Sequence, residues 1–382
     1  MLACRLLLSI IFEPARLKNA SESLSRLHSS SSEALETSFI FDATKNQDAV
    51  QKRLDAGKVT VSRIMVYPIK SCRGISVLKS NFTPLGLEYD RQWCIIDAMS
   101  HRIITARAVP KMVLITPRVI ESDIDPCGGR LQISFPAESG CETFFVPLKP
   151  TSDMLQNYSI TDDCSVHSDT GIDGYITQPH PDSSNTDALL CSATLSKYFG
   201  KPVHLIFKGS RARPVEPTWS FPNLNAHLNY QDGYPLMVVS EESFGSVKKM
   251  AAKWCSEQDI DEFKHWNVDS LVLERYRPNI VFNGASVPFS EDMWREIVLT
   301  SHTNESSSFT LVAKCTRCLL PNIDPLNGVR NMSIPSKPLS KFRTGLDPGR
   351  TDDSCFGCNA VGLASGVMSV GDVVSVTTWD IV

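Results

Sequence analysis

Two cysteines with CxxC spacing, Cys315 and Cys318, lie at the end of a predicted strand. The β-branched and apolar residues of 309–313 favour a pleated, half-buried strand, whereas the Pro- and Gly-containing segment 321–328 favours a loop. A thiolate is both a nucleophile and a soft metal ligand, and a neighbouring cation such as Arg317 stabilises it. The spacing therefore indicates either a reactive or metal-ligating thiolate, or two structural cysteines beside an incidental arginine.

Composition and charge restrict the classes of partner. The chain has 382 residues, 42% hydrophobic and 21% charged, which is typical of a globular protein that can hold two domains. A net charge of −4 and a pI near 6.1 argue against nucleic acid or an anionic membrane as general partners. An anionic ligand would therefore need a local basic pocket. The 12 cysteines are scattered, as expected for reduced intracellular thiols.

The first 56 residues are predicted to be a leader or disordered extension. Residues 1–20 hold an apolar run that is too short to span a bilayer as a helix. Basic residues followed by the serine-rich segment 21–32 resemble a mitochondrial presequence, although several acidic residues are unusual in one. We therefore expect a mitochondrial location, with a cytoplasmic one as the alternative.

Short β-like runs follow from about residue 60, with Gly, Pro or Asp between them. Strands at this density predict an all-β barrel or sandwich over roughly residues 57–165. The predicted strands in this part of the chain are 61–67, 92–97, 113–120, 130–135 and 143–148.

Two helices are predicted further along the chain from their caps. Residues 177–187 have the composition of a linker, and Thr186 or Asp187 can cap a helix over 188–199. Ser240 can cap a second helix, with two glutamates in its first turn at the positive end of the helix dipole.

Basic and hydrogen-bonding side chains occur at several predicted strand ends. Lys70 and Ser71 leave the first strand together and can hold an oxyanion as a point charge and a hydroxyl donor. Arg91 opens the next strand, and Arg277 and Asn279 flank a rigid proline at the mouth of another. Each of these residues taken alone is more typical of a solvated surface side chain.

Common catalytic motifs are absent from the sequence. There is no GxGxxG, GxxxxGK[ST], HExxH or GxSxG motif, so no motif supports a dinucleotide-binding, P-loop, zincin or serine-hydrolase function. The eight histidines form no close pair with ligand spacing. We therefore expect each histidine to be an ordinary polar or surface residue rather than a metal ligand.

Six short motifs, in order over more than two hundred residues, resemble those of MOSC-domain proteins that carry an N-terminal β-barrel domain. They are IKSC at 69–72, DRQW at 90–93, TAR at 105–107, Asp232 with Pro235, RPN at 277–279, and CTRC at 315–318 followed by DP at 324–325 and Gly328. Within this family the chain is most similar to the mitochondrial amidoxime-reducing components.

The resemblance covers about residues 57–380 and implies a mainly β fold with some α (α+β) and two β-barrel-like domains. The implied division is an N-terminal MOSC β-barrel domain over 57–176, a linker and helix over 177–200, and a MOSC domain over 201–380.

The resemblance also implies a molybdenum cofactor, a molybdopterin whose dithiolene holds the metal. Carried over position by position, Cys318 is the metal-ligating and catalytic residue. The implied cofactor-binding residues are Lys70, Ser71, Arg91, Gly233, Tyr234, Arg277, Asn279, Thr316 and Arg317. Gly233 and Tyr234 stand where the family's amidoxime reducers carry small hydroxyl residues.

The implied reaction is the two-electron reduction of N-oxygenated substrates such as amidoximes and hydroxylamines. Electrons would come from NADH through a flavin reductase and a small b-type cytochrome. The implied partners are these donors and a small N-hydroxylated substrate, with no nucleic acid.

Two alternatives remain open at this point. Related domains also occur fused to a pyridoxal-phosphate cysteine desulfurase, so the chain could be a non-catalytic cofactor carrier or sulfur-transfer domain. Pyridoxal-phosphate binding is a label of the family, but the first 56 residues are too few for that desulfurase. The second alternative is a structural zinc module of four cysteines, because Cys355 and Cys358 form a second CxxC pair. The 36 residues between the pairs exceed the usual ribbon spacing.

Overall fold

A computed structural model describes residues 40–185, 187–264 and 266–380. The predicted leader up to residue 39, and Thr186, lie outside these residues. The strands are β1 (Thr60–Val66), β2 (Ile75–Val77), β3 (Lys79–Thr83), β4 (Gly86–Leu87), β5 (Trp93–Asp97), β6 (Thr116–Glu121), β7 (Gly129–Ser134), β8 (Phe144–Pro147), β9 (Ile160–Val166), β10 (Asp169–Ile176), β11 (Val203–Lys208), β12 (Arg213–Pro214), β13 (His227–Leu228), β14 (Leu236–Ser240), β15 (Ile280–Asn283), β16 (Trp294–Thr300), β17 (Ser306–Thr316), β18 (Cys355–Gly362), β19 (Gly366–Ser369) and β20 (Val373–Trp379). The helices are α1 (Ala43–Asp55), α2 (Ser152–Asn157), α3 (Leu190–Phe199), α4 (Glu241–Ser256), α5 (Asp261–Lys264) and α6 (Ser336–Phe342).

Seven strands close into a β-barrel in the order β15, β14, β18, β17, β16, β20 and β1, with β1 pairing back onto β15. Closure satisfies the backbone groups that an open sheet would leave at its edges. The barrel strands carry large apolar side chains that are fully buried, such as Ile297 and Phe309. This architecture, together with the smaller sheets below, confirms the predicted mainly-β fold.

The first strand of the chain belongs to this barrel. Sequence reasoning assigned the strand at 61–67 to the N-terminal domain, but β1 pairs with β15 through Ile64 and Ile280 and touches β20 at Thr60 and Val373. The sequence gives no register for pairing between segments so far apart, so this position of β1 was not predictable from local patterns.

β2 joins the barrel sheet by pairing with β1, whereas the other N-terminal strands form smaller sheets, two of which include a strand from beyond residue 200, β11 or β19. β5, β11, β10 and β9 make one antiparallel sheet, and β6, β7 and β8 make a meander. The strand predicted at 113–120 is shorter, because a 3-10 turn at Pro110–Leu114 occupies its start. Proline fixes φ at a value suited to the first residue of a helical turn, which explains the difference.

The N-cap predicted at Ser240 is present, whereas the one predicted at Thr186 or Asp187 is not: the N-cap of α3 is Leu189, which makes no side-chain cap hydrogen bond, and Thr186 lies outside the described residues. Ser240 Oγ accepts a hydrogen bond from Ser243 N at 3.1 Å at the start of α4. α3 begins at Leu190, later than expected, and ends at Gly200, whose φ of 74° lies in the left-handed region that glycine favours.

The end of the predicted leader is an ordered helix. α1 buries Val50 and Leu54, which lie four residues apart on one helix face. Gln51 Oε1 accepts a hydrogen bond from Trp379 Nε1 at 2.8 Å, which ties α1 to the last strand of the barrel. Residues 43–55, which the sequence assigned to the leader or disordered extension, are therefore helical. No helix in the described part of the chain is long and apolar enough to cross a membrane.

The position of β1 in the barrel leads to a prediction about folding. A fragment of residues 201–382 lacks β1, so the β15 and β20 edges of the barrel would be left unpaired. We expect this fragment to lack the cooperative thermal unfolding of the full chain and to associate through its exposed edges. Circular dichroism melts and size-exclusion chromatography measure both properties. A monomeric fragment with the cooperative transition of the full chain would contradict the role given to β1.

Candidate functional site

The chain leaves β1 in a buried turn that carries two predicted cofactor-binding residues, Lys70 and Ser71. The fully buried Asp90 accepts a hydrogen bond from Tyr67 N at 2.9 Å. Trp93 O accepts a hydrogen bond from Lys70 N at 2.8 Å. These bonds fix the turn against the start of β5.

The aromatic ring of Tyr67 lies against two guanidinium groups. Arg91 Cζ is 4.3 Å from the ring centroid, and Arg277 Cζ is 4.2 Å from it. Asp90 accepts two hydrogen bonds from Arg91 Nη1, at 2.6 and 2.8 Å, whereas Arg277 Nη1 donates to Cys72 O at 2.6 Å. Arg277 Nη2 is buried and has no hydrogen-bond partner among the described residues. We call Tyr67 and these two arginines the arginine cradle.

Three of the predicted residues adopt left-handed backbone conformations. The φ angles are 68° at Ser71, 48° at Arg91 and 58° at Arg277. Such conformations cost a non-glycine residue about 1–2 kcal/mol, and they cluster where a site requires a particular side-chain direction. The cradle and its adjoining turn therefore have a feature typical of ligand sites, at residues that sequence motifs had selected.

The electrostatics of the cradle favour an anion. Desolvation, followed by the nearby positive charge of Arg91, lowers the pKa of Arg277 to about 10. Arg277 therefore stays protonated at neutral pH, although its charge is destabilised. Burial raises the pKa of Tyr67, so its ring is neutral. An acceptor group with negative charge would relieve the repulsion between the two guanidiniums and satisfy the unpaired nitrogen.

The CxxC segment lies next to the cradle. Arg317 Nη2 donates to Tyr276 O at 2.7 Å, and Tyr276 directly precedes Arg277. Arg317 Nη1 is 2.8 Å from Cys315 Sγ, and its buried Nε has no partner in the described structure. Cys318 is half-buried, and its Sγ accepts a weak bond from Leu320 N at 3.5 Å.

Arg317 contacts the first cysteine of the pair. The sequence suggested that Arg317 stabilises a thiolate, but the structure corrects this expectation for Cys315. Desolvation raises the pKa of Cys315 and outweighs the lowering effect of the guanidinium. Cys315 is therefore a neutral thiol that accepts a hydrogen bond.

The aromatic ring of Phe356 supports the turn that carries the cradle. It is fully buried, and its centroid lies 4.5 Å from that of Tyr276. The following residue, Gly357, has a φ of 75°, and a Cβ there would lie 2.6 Å from Val238 O. The Phe-Gly pair therefore allows β18 to approach β14 closely behind the site.

Asn279 connects two strands of the barrel. Its Nδ2 donates to Met65 O at 3.2 Å, and its Oδ1 accepts from Met237 N at 3.2 Å. The side-chain amide thus bonds to the backbone of β1 and β14. In this structure its contribution to the site is to position the turn that carries Arg277.

Three other predicted cofactor-binding residues contribute less directly to the candidate site: Gly233, Tyr234 and Thr316. Gly233 is exposed, and a Cβ there would have no atom within 4 Å. Tyr234 Oη donates to Glu216 O at 3.4 Å, which engages its hydroxyl outside the cradle. Thr316 is the last residue of β17, is paired with Cys355, and is half-buried.

Lys70 belongs to a charged network beside the cradle. Its Nζ is 2.5 Å from Asp232 Oδ1 and donates to Tyr230 O at 2.7 Å. Desolvation lowers the pKa of Lys70, although Asp232 opposes this effect. Desolvation acts to raise the pKa of Asp232, but Lys70 and His167 hold it well below the usual carboxylate value. His167, at 3.4 Å from Asp232, also contacts Arg107 of the TAR motif.

The segment after Cys318 is fastened to the N-terminal part of the chain. Arg73 Nη2 donates to Pro325 O at 2.6 Å, and Arg330 Nη2 donates to Arg107 O. Arg330 Nε is buried and has no partner among the residues described. These contacts place residues from both halves of the chain around one site.

Sequence reasoning missed three residues of the site. Tyr67 lies two residues before the IKSC motif, and Asp90 is the first residue of the DRQW motif, so their positions were a usable signal. Arg330 follows the DPLNG segment and had no local signal, because its role depends on contact with residues more than two hundred positions away.

The four-cysteine zinc alternative does not match the structure. Among the described residues, the ligand atoms of Cys315, Cys318, Cys355 and Cys358 do not converge on one point. Cys358 Sγ instead donates to Glu291 O at 3.3 Å in the protein interior. The two CxxC pairs therefore lie in different environments and do not form one metal site.

Family comparisons cover most of the described chain. The model of the MOSC N-terminal beta barrel domain matches residues 58–175, and the model of the MOSC domain matches residues 225–375. The chain therefore belongs to the family of MOSC-domain proteins that carry the MOSC N-terminal β-barrel domain. The domain boundaries of 57–176 and 201–380 stay predictions.

Curated relatives resemble the chain over most of its length. Mitochondrial amidoxime reducing component 2 of Rattus norvegicus is 27% identical over 74% of this chain and 72% of its own. Mitochondrial amidoxime-reducing component 1 of Homo sapiens is 26% identical over 82% of each chain. Molybdenum cofactor sulfurase of Danio rerio is 26% identical over 80% of this chain, which spans 33% of that protein.

The contacts of Asp90 lead to a stability prediction. Asp90→Ala removes the acceptor for Tyr67 N and the ion-pair partner of Arg91. Breaking a buried pair by removing one partner costs about 3–5 kcal/mol, so we expect a loss of that size in the free energy of unfolding. Chemical denaturation measures it.

The matched control removes an exposed carboxylate. Asp269 pairs with Lys248 at 2.9 Å, but its side chain is 80% exposed. Asp269→Ala should change the free energy of unfolding by less than about 1 kcal/mol. Equal losses in the two variants would show that Asp90 has no special role in the turn.

Proposed function

We propose that this protein is a molybdenum-cofactor-dependent oxidoreductase that reduces N-oxygenated compounds such as amidoximes and hydroxylamines. The observation that carries the proposal is the arginine cradle, in which a buried guanidinium nitrogen of Arg277 has no hydrogen-bond partner in the described structure. The names of the relatives, amidoxime-reducing components and a molybdenum cofactor sulfurase, support the same chemistry.

The residues present fit a molybdopterin. That group combines a negatively charged phosphate, a pterin with several hydrogen-bond acceptors and a sulfur-coordinated metal. The cradle offers planar donors suited to an anion, and Lys70 and Ser71 lie in the adjoining turn. Arg317, between the two cysteines of the CxxC pair, adds a buried Nε that has no hydrogen-bond partner among the described residues. When bound, the cofactor would supply the two-electron redox chemistry of the reaction.

The roles of the chain's own residues follow from their contacts. Cys318 would supply the protein's sulfur ligand, because its thiol is half-buried and its one hydrogen bond in the described structure, from Leu320 N, is weak. Arg317 would orient the segment by its bond to Tyr276 O and would donate through Nε. Arg91 and Arg277 would hold the anionic end of the group, with Asp90 fixing Arg91.

The proposed reaction breaks one N–O bond. An amidoxime takes up two electrons and two protons and yields an amidine and one water molecule. We propose that the electrons come from NADH through a flavin reductase and a small b-type cytochrome. We further propose a mitochondrial location, which agrees with the names of the relatives.

A second candidate function is a cofactor carrier or sulfur-transfer domain. The similarity to the molybdenum cofactor sulfurase of Danio rerio favours it, because the same cradle could hold a cofactor without catalysing a reduction. A carrier would bind the cofactor but show no reduction of benzamidoxime with any electron donor. The reductase would do both.

Replacing each cysteine of the CxxC pair tests the proposal. Cys318→Ser exchanges a soft thiolate for a hard hydroxyl, while the cradle contacts remain. We expect this variant to retain pterin but to lose at least about 100-fold in reduction of benzamidoxime with an artificial donor. Cys315→Ser keeps an acceptor for Arg317, so its turnover should stay within a few-fold of the parent.

Pterin fluorescence after cofactor release, molybdenum content and turnover are measured on both variants and the parent. Equal losses in the two variants, or full turnover in Cys318→Ser, would contradict the assignment of Cys318. Cofactor-loaded parent protein without any reductase activity would favour the carrier function instead.

A further inference from the structure

A second group of ligand-type side chains lies outside the proposed cofactor site. A carboxylate oxygen of Asp125, Cys127 Sγ and a ring nitrogen of His180 all lie within 4.8 Å of one another. Cys127 and His180 are buried, at 3% and 2% exposure. Asp125 and Cys127 belong to the turn between β6 and β7, whereas His180 follows β10. The chain thus brings together residues that 52 positions separate.

The hydrogen bonding of this group is incomplete. His180 Nε2 is 2.8 Å from Asp125 Oδ2, yet among the described residues it has no partner with hydrogen-bond geometry. Asp125 Oδ1 already accepts a hydrogen bond from Cys127 N at 2.8 Å, which fixes the carboxylate in the turn. A buried imidazole nitrogen without a hydrogen bond is uncommon in folded proteins. It points to a ligand shared with the carboxylate and the thiol.

The donor set matches zinc. Zinc binds cysteine sulfur, histidine nitrogen and carboxylate oxygen at ~2.0–2.3 Å, so tetrahedral ligand atoms lie roughly 3.3–3.6 Å apart. The three ligand atoms lie within 4.8 Å of one another, so they could converge on one ion if the 2.8 Å Asp125–His180 contact opens slightly. We propose that Asp125, Cys127 and His180 bind one zinc ion, with the fourth position open to water.

Zinc binding would rearrange one neighbouring contact. His180 Nδ1 accepts a hydrogen bond from Asp182 N at 3.2 Å. When Nε2 ligates a metal, a neutral imidazole carries its proton on Nδ1, so that contact must open. Asp182 is exposed, which leaves its backbone room to move.

The thioether of Met154 is a further possible ligand, which would suit a softer metal than zinc. Its Sδ lies 3.5 Å from Cys127 Sγ. Thioether and thiolate together favour copper(I), whereas imidazole and carboxylate with one thiolate favour zinc. Asp125 and His180 supply two harder donors beside the single thioether of Met154, so the set as a whole favours zinc. Preference for copper(I) over zinc would therefore overturn the assignment.

The sequence had predicted that no histidine is a metal ligand. That expectation rested on the lack of closely spaced pairs, which cannot reveal ligands from separate segments. The proposed zinc would fasten the β6–β7 turn to the segment after β10. It is independent of the molybdenum proposal, because none of its three residues belongs to the arginine cradle or the CxxC segment.

Zinc titration of the full chain tests the site. Chelator-treated protein is titrated with zinc alone against a chromophoric competitor, for the parent, His180→Ala, Cys127→Ser and Cys141→Ser. Cys141 is the matched control, a half-buried thiol of the same region whose Sγ contacts only backbone carbonyls in the described structure. We expect one zinc per chain in the parent and the control, and at least about 100-fold weaker binding in the other two variants.

A spectroscopic readout covers the case in which a variant fails to fold. Cobalt(II) substituted into the folded Cys318→Ser protein should show a thiolate-to-cobalt charge-transfer band and tetrahedral d–d bands. The charge-transfer band should persist in the Cys318→Ser protein, because Cys318 is not a ligand of the proposed zinc site. No zinc uptake by the parent, equal weakening in Cys141→Ser, or loss of the cobalt band in Cys318→Ser would overturn the proposal.

Discussion

The candidate site depends on the pairing of β1 with β15. This pairing closes the barrel and places the turn after β1 beside the segment before β15. Tyr67 and Arg277 meet because of it, since each lies just outside one of these two strands. The side-chain amide of Asn279 reinforces the junction with bonds to Met65 and Met237. The strand pairing that closes the barrel therefore also forms the arginine cradle.

Charge is concentrated at this junction at a cost to stability. Two arginines lie within 4.3 Å of one aromatic ring, and desolvation lowers the pKa of Arg277. Asp90 compensates Arg91, but Nη2 of Arg277 and Nε of Arg317 have no hydrogen-bond partner in the described structure. Unsatisfied buried donors cost about 1–3 kcal/mol each, so the site is poised to gain from an acceptor. A chain with a net charge of −4 would need such local charge to bind an anion.

Local sequence patterns predicted the parts of the structure that depend on neighbouring residues. The cap at Ser240 and the mainly-β fold follow from such patterns, and motif resemblance selected Arg91 and Arg277, which the structure places against one aromatic ring. Contacts between distant segments were not predictable in this way. The sequence did not show that Arg317 contacts Cys315, or that His180 lies beside Cys127. Both results depend on register and on loop geometry, which local propensity does not specify.

The central claim is that the arginine cradle holds a molybdenum cofactor. Its most direct test is the molybdenum content of the full chain and of Arg277→Lys, both produced in a host that makes the cofactor. Lysine keeps the charge but loses the planar fork, whose Nη1 reaches Cys72 O and whose Nη2 has no hydrogen-bond partner among the described residues. The account predicts about one molybdenum per parent chain, and retention that is roughly ten-fold weaker in the variant. A parent without molybdenum, or equal molybdenum content and retention in both proteins, would contradict it.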